Sequence, residues 1–313
     1  MNLATYTTSE YFPIFLTFYD SIKNNDNFRL HVLCLDNNVE KLLIKNKINC
    51  KSISIEELEK FSKTIKDKKY NNISEKIGVY RLAYADFLLK KENIEIHLID
   101  SDTYFFSELS NLENIITKLN ASVAFCEHNF FFNKSKMNDL YGIYNAGYIY
   151  FKNDNEGINF LKNYRDLCQN YISWKVKGNI KNIFADQTYL EILKDKFKSV
   201  KIINNVGVNC APWNIGNYKV SQINNHFNIN NEKLIFYHFS GIRSVLNKIF
   251  FFNLYHYNHQ KLDMVRKTIY KIYLKNLQKN FKIYRTDKVS KKLNFKNIIS
   301  LLKKIYRKDF LII

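Results

Sequence analysis

The chain has little of what separates or staples domains. Two prolines and eight glycines occur in 313 residues, and no Gly/Ser- or Pro-rich stretch divides one part from another. A flexible linker is thereby excluded, and one compact unit is expected. The five cysteines (Cys34, Cys50, Cys126, Cys168, Cys210) are scattered without paired spacing. That argues against a disulfide framework and a cysteine zinc site, and favours a reducing compartment. No apolar run is long enough to span a bilayer, and no secretory leader is visible. A cytoplasmic location is the expectation. No internal repeat occurs.

What is present is apolar, aromatic and basic. Hydrophobic residues make up 46% of the chain, enough for a sizeable core, and the formal net charge is +19. The positive excess is uneven: Lys261 to Lys308 holds sixteen Lys/Arg against two acids, Asp263 and Asp287. In Phe295–Phe310, apolar Phe295, Ile298, Ile299, Leu302, Ile305 and Tyr306 fall at helical spacing, flanked by Lys296, Lys303, Lys304, Arg307 and Lys308. Such a helix suits an anionic membrane surface; a plainly solvated face is the alternative. No recognition motif accompanies the charge, so nucleic acid is not expected as a partner.

Strand and helix patterns alternate along the first hundred residues. Leu3–Tyr6, Arg29–Leu35, Cys50–Ile53 and Ile94–Ile99 read as strands. Helical patterns lie between them, with Ser9 as a cap for Glu10–Lys23 and a capping box at Ser54-Ile55-Glu56-Glu57. This predicts an α/β fold, parallel and doubly wound over that stretch. Further on, Leu109–Leu119, Glu156–Tyr171 and Asp186–Leu193 read as helices, and Ser122–Cys126, Gly147–Phe151, Lys198–Ile203 and Leu234–Tyr237 as strands. Phe130–Tyr144 reads as a loop, and the chain from about Asn247 as helical and basic.

The fourth strand runs directly into Asp100-Ser101-Asp102. Open α/β sheets bind ligands at the carboxyl ends of their strands. Two hard carboxylates there suit Mg²⁺ or Mn²⁺ shared with substrate phosphates. By itself the pair is a weak signal, because two acids also serve an ordinary turn. Three later segments strengthen it: Tyr144-Asn145-Ala146-Gly147-Tyr148, Ala185-Asp186-Gln187, and Phe236-Tyr237-His238-Phe239-Ser240-Gly241.

With these residues the chain resembles the GT-A glycosyltransferases, and among them the family 8-like group, over about residues 1–245. That group has an Arg-bearing helix before the Asp-x-Asp strand (Arg81, Asp100, Asp102), then Asn-Ala-Gly, Asp-Gln and His-Phe-x-Gly in this order. The resemblance implies a GT-A, Rossmann-like mixed sheet with helices on both faces, residues 1–245 forming the nucleotide-sugar domain and 246–313 a basic helical extension. It implies Asp100, Asp102 and His238 as ligands of Mn²⁺ or Mg²⁺. Asn145, Asp186 and Gln187 would surround the transferring sugar as catalytic residues. Thr7, Tyr11, Arg81, Ser101, Ala146, Gly147, Gly241 and Arg243 would complete the donor site. Gly147 and Gly241 would let the backbone approach the sugar. The implied donor is a nucleotide diphosphate-sugar, with UDP as the expected nucleotide. The acceptor would be a surface glycan or glycolipid of a bacterium, met at the inner face of the cytoplasmic membrane.

Several residues carry a second meaning. Arg81 could pair with Asp86, Asp186 could be only a helix cap, His238 only a structural histidine, and Trp213 either a packed aromatic or a sugar platform. Two departures from the family pattern stand out. Thr7-Thr8 replace the usual acid after the first strand, and Ile242-Arg243-Ser244-Val245 replaces the usual Lys-Pro-Trp. Arg and Lys are not equivalent phosphate partners. The competing functional classes are a non-catalytic module of the same fold and a basic nucleic-acid binder. A haloacid-dehalogenase-type phosphatase is disfavoured by Tyr104, which stands where that pattern needs Thr or Val.

Overall fold

The computed structural model describes residues 1–66, 69–172, 184–224, 226–245, 248–252, 254, 263–284, 306 and 310–313. Its first half alternates strand and helix: β1 (Asn2–Thr7), α1 (Phe12–Ile22), β2 (Arg29–Cys34), α2 (Asn37–Lys45), β3 (Lys51–Ser54), α3 (Ile55–Phe61), α4 (Lys63–Lys66), α5 (Ile73–Lys90) and β4 (Ile96–Ile99). After the acidic turn come β5 (Thr103–Phe105), α6 (Leu109–Leu119), β6 (Val123–Glu127), α7 (Lys134–Tyr141), β7 (Tyr144–Phe151), α8 (Asn155–Asn170), α9 (Tyr189–Lys194) and β8 (Val200–Ile202).

Seven strands form one sheet in the order β3-β2-β1-β4-β7-β6-β8. The first four are mutually parallel. β7 runs antiparallel between β4 and β6, so the sheet is mixed. Apolar side chains alternate to two cores. Ala4, Leu33, Leu98 and Ile149 pack with α5, α8 and α9 on one face. Leu3, Val32, Ile99 and Tyr148 pack with α1, α2 and α6 on the other. Because both faces are covered, β1, β2, β4 and β7 are buried along nearly their whole length.

Some boundaries differ from expectation. α1 begins at Phe12 with Pro13 in its first turn, where a missing N–H costs nothing. Ser9 does not cap it; the Ser9 N–H donates to Asp36 Oδ2 at 2.7 Å. Ser54 does cap α3, accepting from Glu57 N–H at 3.2 Å. The stretch read as a loop over 130–144 contains α7, and Asn145-Ala146-Gly147 lies inside β7 rather than before it.

Part of the described chain that follows lies against the turn after β4, through the pairing of Phe236–His238 with β5 and Phe239 N–H donating to the Asp102 carbonyl. A small sheet has the order β11-β10-β9, from β9 (Val220–Ile223), β10 (His226–Ile229) and β11 (Glu232–Lys233). β12 (Phe236–His238) pairs antiparallel with β5. Beyond it the expected helical chain contains strands as well. β13 (Arg243–Val245), β14 (Ile249–Phe251) and β15 (Phe310–Ile312) form a sheet, while α10 (Asp263–Val265) and α11 (Lys271–Ile283) are helical. α11 packs on α1, with Asn280 Nδ2 donating to Thr17 Oγ1 at 3.0 Å. Tyr273 stacks on Phe239 with ring centroids 3.8 Å apart. Apart from Tyr306 and Phe310, the amphipathic helix expected over Phe295–Phe310 lies outside the described residues. No helix among the described residues is long and apolar enough to cross a membrane.

Candidate functional site

Backbone hydrogen bonds bring three distant segments to the acidic turn. Asp100 N–H donates to the Gly147 carbonyl on β7 at 2.9 Å, and Phe239 N–H donates to the Asp102 carbonyl at 2.7 Å. The β12–β5 pairing sets His238 opposite Thr103. As a result the potential ligand atoms of Asp100, Asp102 and His238 lie within 4.8 Å of one another. His238 Nε2 is 3.0 Å from Asp102 Oδ1 and 4.0 Å from Asp100 Oδ2.

Electrostatics follow from this crowding. Burial alone would lower the His238 pKa, but Asp102 and then Asp100 outweigh it, and the imidazole titrates above its ordinary range. Desolvation raises the Asp100 carboxyl, with Asp102 adding to it against the opposing pull of Arg81 and His238. Two carboxylates and an imidazole held this close form a donor set that fits a divalent cation with oxygen and nitrogen ligands.

Arg81 projects from α5 and is 5% exposed. Its Nη1 donates to Asp100 Oδ1 at 2.9 Å and to the Tyr6 hydroxyl at 3.3 Å. Nη2 donates to the Ala146 carbonyl. Nε is 3.0 Å from Asp186 Oδ2. The alternative partner is taken: Asp86 pairs with Arg165 and, at 2.8 Å, with Lys90. Tyr6 donates its hydroxyl to Asp100. Asp186 does not open a helix. It sits in the turn before α9, just after Ala185, whose φ is +53°, and its side chain is buried against Arg81.

Gly147 lies directly against His238. A Cβ there would lie 2.5 Å from His238 Cε1 and 2.6 Å from Nδ1, so the glycine makes room for the imidazole. Gly241, with φ +78°, turns the chain after β12. Ser101 is buried within the acidic turn. Thr7 is buried at the end of β1, its hydroxyl donating to the Thr8 carbonyl at 3.1 Å. Tyr11 is exposed, yet desolvation at its hydroxyl and the charges of Asp102 and Asp100 raise its phenol pKa. Gln187 donates to the Tyr141 carbonyl at 2.7 Å and so fastens the end of α7. Trp213 is buried edge-on to His238, centroids 5.3 Å apart, as a wall of the imidazole. Arg243 is exposed on β13, and no described contact joins it to the carboxylates.

Two residues that sequence reading missed surround Asn145. His128 Nε2 is 3.2 Å from Asn145 Nδ2, and Asn209 Nδ2 donates to Asn145 Oδ1 at 2.9 Å. Neither lies in a motif. The available signal was slight: a histidine just past β6 and an asparagine preceding Cys210.

No family model matches the chain. It is 28% identical over 261 residues to "Uncharacterized protein YfnD" of Bacillus subtilis (strain 168), covering 81% of each chain. Among solved structures it is similar to mouse Xyloside xylosyltransferase 1, with a TM-score of 0.43 and 12% identity over 67% of this chain and 88% of that one. It is also similar to galactosyltransferase LgtC in complex with donor and acceptor sugar analogs, with a TM-score of 0.44 and 16% identity over 77% of this chain and 87% of that one.

Proposed function

We propose that this protein is a metal-dependent glycosyltransferase of the GT-A, family 8-like kind. It would transfer a sugar, a hexose in this reading, from a nucleotide diphosphate-sugar with UDP as the nucleotide. The observation that carries this reading is the Asp100–Asp102–His238 cluster at the carboxyl end of β4, with Arg81, Asp186 and Asn145 beside it. A Mn²⁺ or Mg²⁺ held by those three side chains would offset the charge of a diphosphate and of the departing nucleotide.

The chain's own residues supply position. Arg81 is buried and fastened at four points, so it holds Asp100 and Asp186 in fixed rotamers before substrate arrives. Such preorganisation is where an enzyme of glycosyl transfer gains most, because its oxocarbenium-like state needs oriented charge rather than new bonds from the protein. Asp186 and Asn145 face the transferring sugar in this reading. Gln187, with its N–H engaged by Tyr141, offers its carbonyl oxygen. Tyr11 and Thr7 border the nucleoside, and Arg243 meets the pyrophosphate.

The acceptor in this reading is a bacterial surface glycan or glycolipid (lipopolysaccharide, lipooligosaccharide or capsule) at the cytoplasmic face of the membrane. The supporting feature is the basic segment 246–313. Its described part exposes Lys267, Lys271, Lys275, Lys279 and Lys282 along α10–α11 and the residues between them. Residues 1–245 hold the donor site.

The test is nucleotide release from UDP-sugars with Mn²⁺ in the presence of glycan acceptors. Wild type releases UDP only with metal, and Asp102→Ala stays folded and inactive. An Asp102→Ala protein with full turnover would refute the site.

A further inference from the structure

Asn145 lies in the middle of a hydrogen-bond chain whose polarity is fixed from both ends. The Gly142 carbonyl can only accept, so His128 Nδ1, 2.9 Å away, carries the ring proton. The ring is buried, and desolvation keeps it neutral, with its pKa pushed down to about 3. A neutral Nδ1–H ring leaves Nε2 as an acceptor, so the Asn145 atom beside it is the amide nitrogen, at 3.2 Å. The other end agrees. The backbone N–H of Gly147 can only donate, and it meets Asn145 Oδ1 at 2.9 Å. The same oxygen accepts from Asn209 Nδ2 at 2.9 Å. The plane of the imidazole is held by stacking on Phe130 at 4.7 Å and by the edge-on contact with Trp213 at 5.5 Å.

A carboxamide has two N–H groups and two lone pairs. Asn145 gives both lone pairs and one N–H to the protein, which leaves one N–H. Asn209 keeps its Oδ1, which is buried and has no hydrogen-bond partner among the described residues. Asn209 is 1% exposed. One adjacent donor and one adjacent acceptor are the complement of a hydroxyl, which accepts from the first and donates to the second.

We propose that His128 is a positioning residue which, as its Nδ1–H tautomer, orients the carboxamides of Asn145 and Asn209 to grip one hydroxyl of the sugar being transferred. This rests on the glycosyltransferase reading for the identity of the ligand, though not for the orientation of the relay.

The experiment has two arms on the full chain. Long-range ¹H–¹⁵N correlation of the histidine-labelled protein at neutral pH reads the tautomer; Nδ1–H is expected, and Nε2–H or an imidazolium overturns the relay whatever the enzyme does. Turnover of UDP-glucose and UDP-galactose with Mn²⁺ is then compared for wild type, His128→Phe and His128→Gln. Phe keeps the ring packing and removes the acceptor, and Gln restores an acceptor near Nε2. The Phe variant should lose about tenfold in kcat with KM little changed, and Gln should recover most of it. An unchanged Phe variant, or Phe and Gln variants that fall alike together with their melting temperature, overturns the positioning role. If wild type turns over neither sugar nucleotide while both bind, or neither binds, the glycosyltransferase reading is what fails, and the tautomer still decides the relay.

Discussion

Gly147 on β7 and His238 at the end of β12 touch so closely that the glycine has no room for a methyl group. A Cβ would lie 2.5 Å from His238 Cε1. The position of the imidazole over Asp100 and Asp102 therefore depends on a residue 91 positions away that contributes no side chain. Gly147→Ala should push the imidazole off the carboxylates. Overpacking of this kind costs about 1–3 kcal/mol. Titration with Mn²⁺, followed by thermal shift, should show weakened stabilisation in the variant; an unchanged metal response would mean that His238 does not bind the ion.

Arg81 is the sole described cation in contact with both Asp100 and Asp186. Arg81→Met removes it and leaves the buried Asp186 carboxylate without its cation, a loss of about 3–5 kcal/mol for a broken buried pair. Arg81→Lys should rescue little, because one ammonium cannot reach four partners arranged around a planar fork. Urea denaturation of the three proteins checks both statements.

His97 gives the folded state a definite pH dependence. It is buried on β4 beside the Tyr148 hydroxyl at 2.8 Å. Desolvation pushes its pKa from 6.5 down to about 3, with a smaller contribution from the N-terminal ammonium. Above pH 6.5 both folded and unfolded chains hold the neutral ring, so the full stability is present. Below it the unfolded chain binds a proton that the folded chain refuses, and stability falls by about 1.4 kcal/mol per pH unit until the folded pKa is reached. His97→Gln should flatten the decline in unfolding free energy between pH 6.5 and pH 4.5; an equal slope in both proteins would contradict the neutral buried state.

α11 belongs to the core. Tyr273, Leu274, Leu277 and Phe281 are all buried, and Tyr273 covers Phe239, the neighbour of His238. Truncation before residue 263 should therefore cost stability and the metal response together. Charge reversal at the exposed Lys271, Lys275 and Lys282 should leave melting temperature and turnover on a soluble acceptor intact while weakening binding to anionic vesicles. Unaltered vesicle binding would remove α11 from the membrane account.

The Asp-x-Asp turn was legible because the apolar run of β4 ends directly at it. The alternation of strand and helix over the first hundred residues was legible because each element buries a face with its own period. The direction of β7 was not: a strand buried on both faces reads the same in either sense. Nor were the partners of Arg81. Asp86 lies five residues along the same helix, whereas Asp100 and Asp186 reach it only through the fold. His128 and Asn209 escaped notice because their importance lies in hydrogen-bond polarity, which sequence does not carry. Gly147 was singled out for its conformational freedom, and its contact with His238 was not legible because it forms only through the fold.

The most direct measurement of the central claim is calorimetric binding of UDP to wild type and to Asp102→Asn, each with and without Mn²⁺. The account predicts binding by wild type that needs the metal and at least about a tenfold loss in the variant. Equal UDP affinity with and without Mn²⁺, or an Asp102→Asn protein that binds as wild type does, would contradict it.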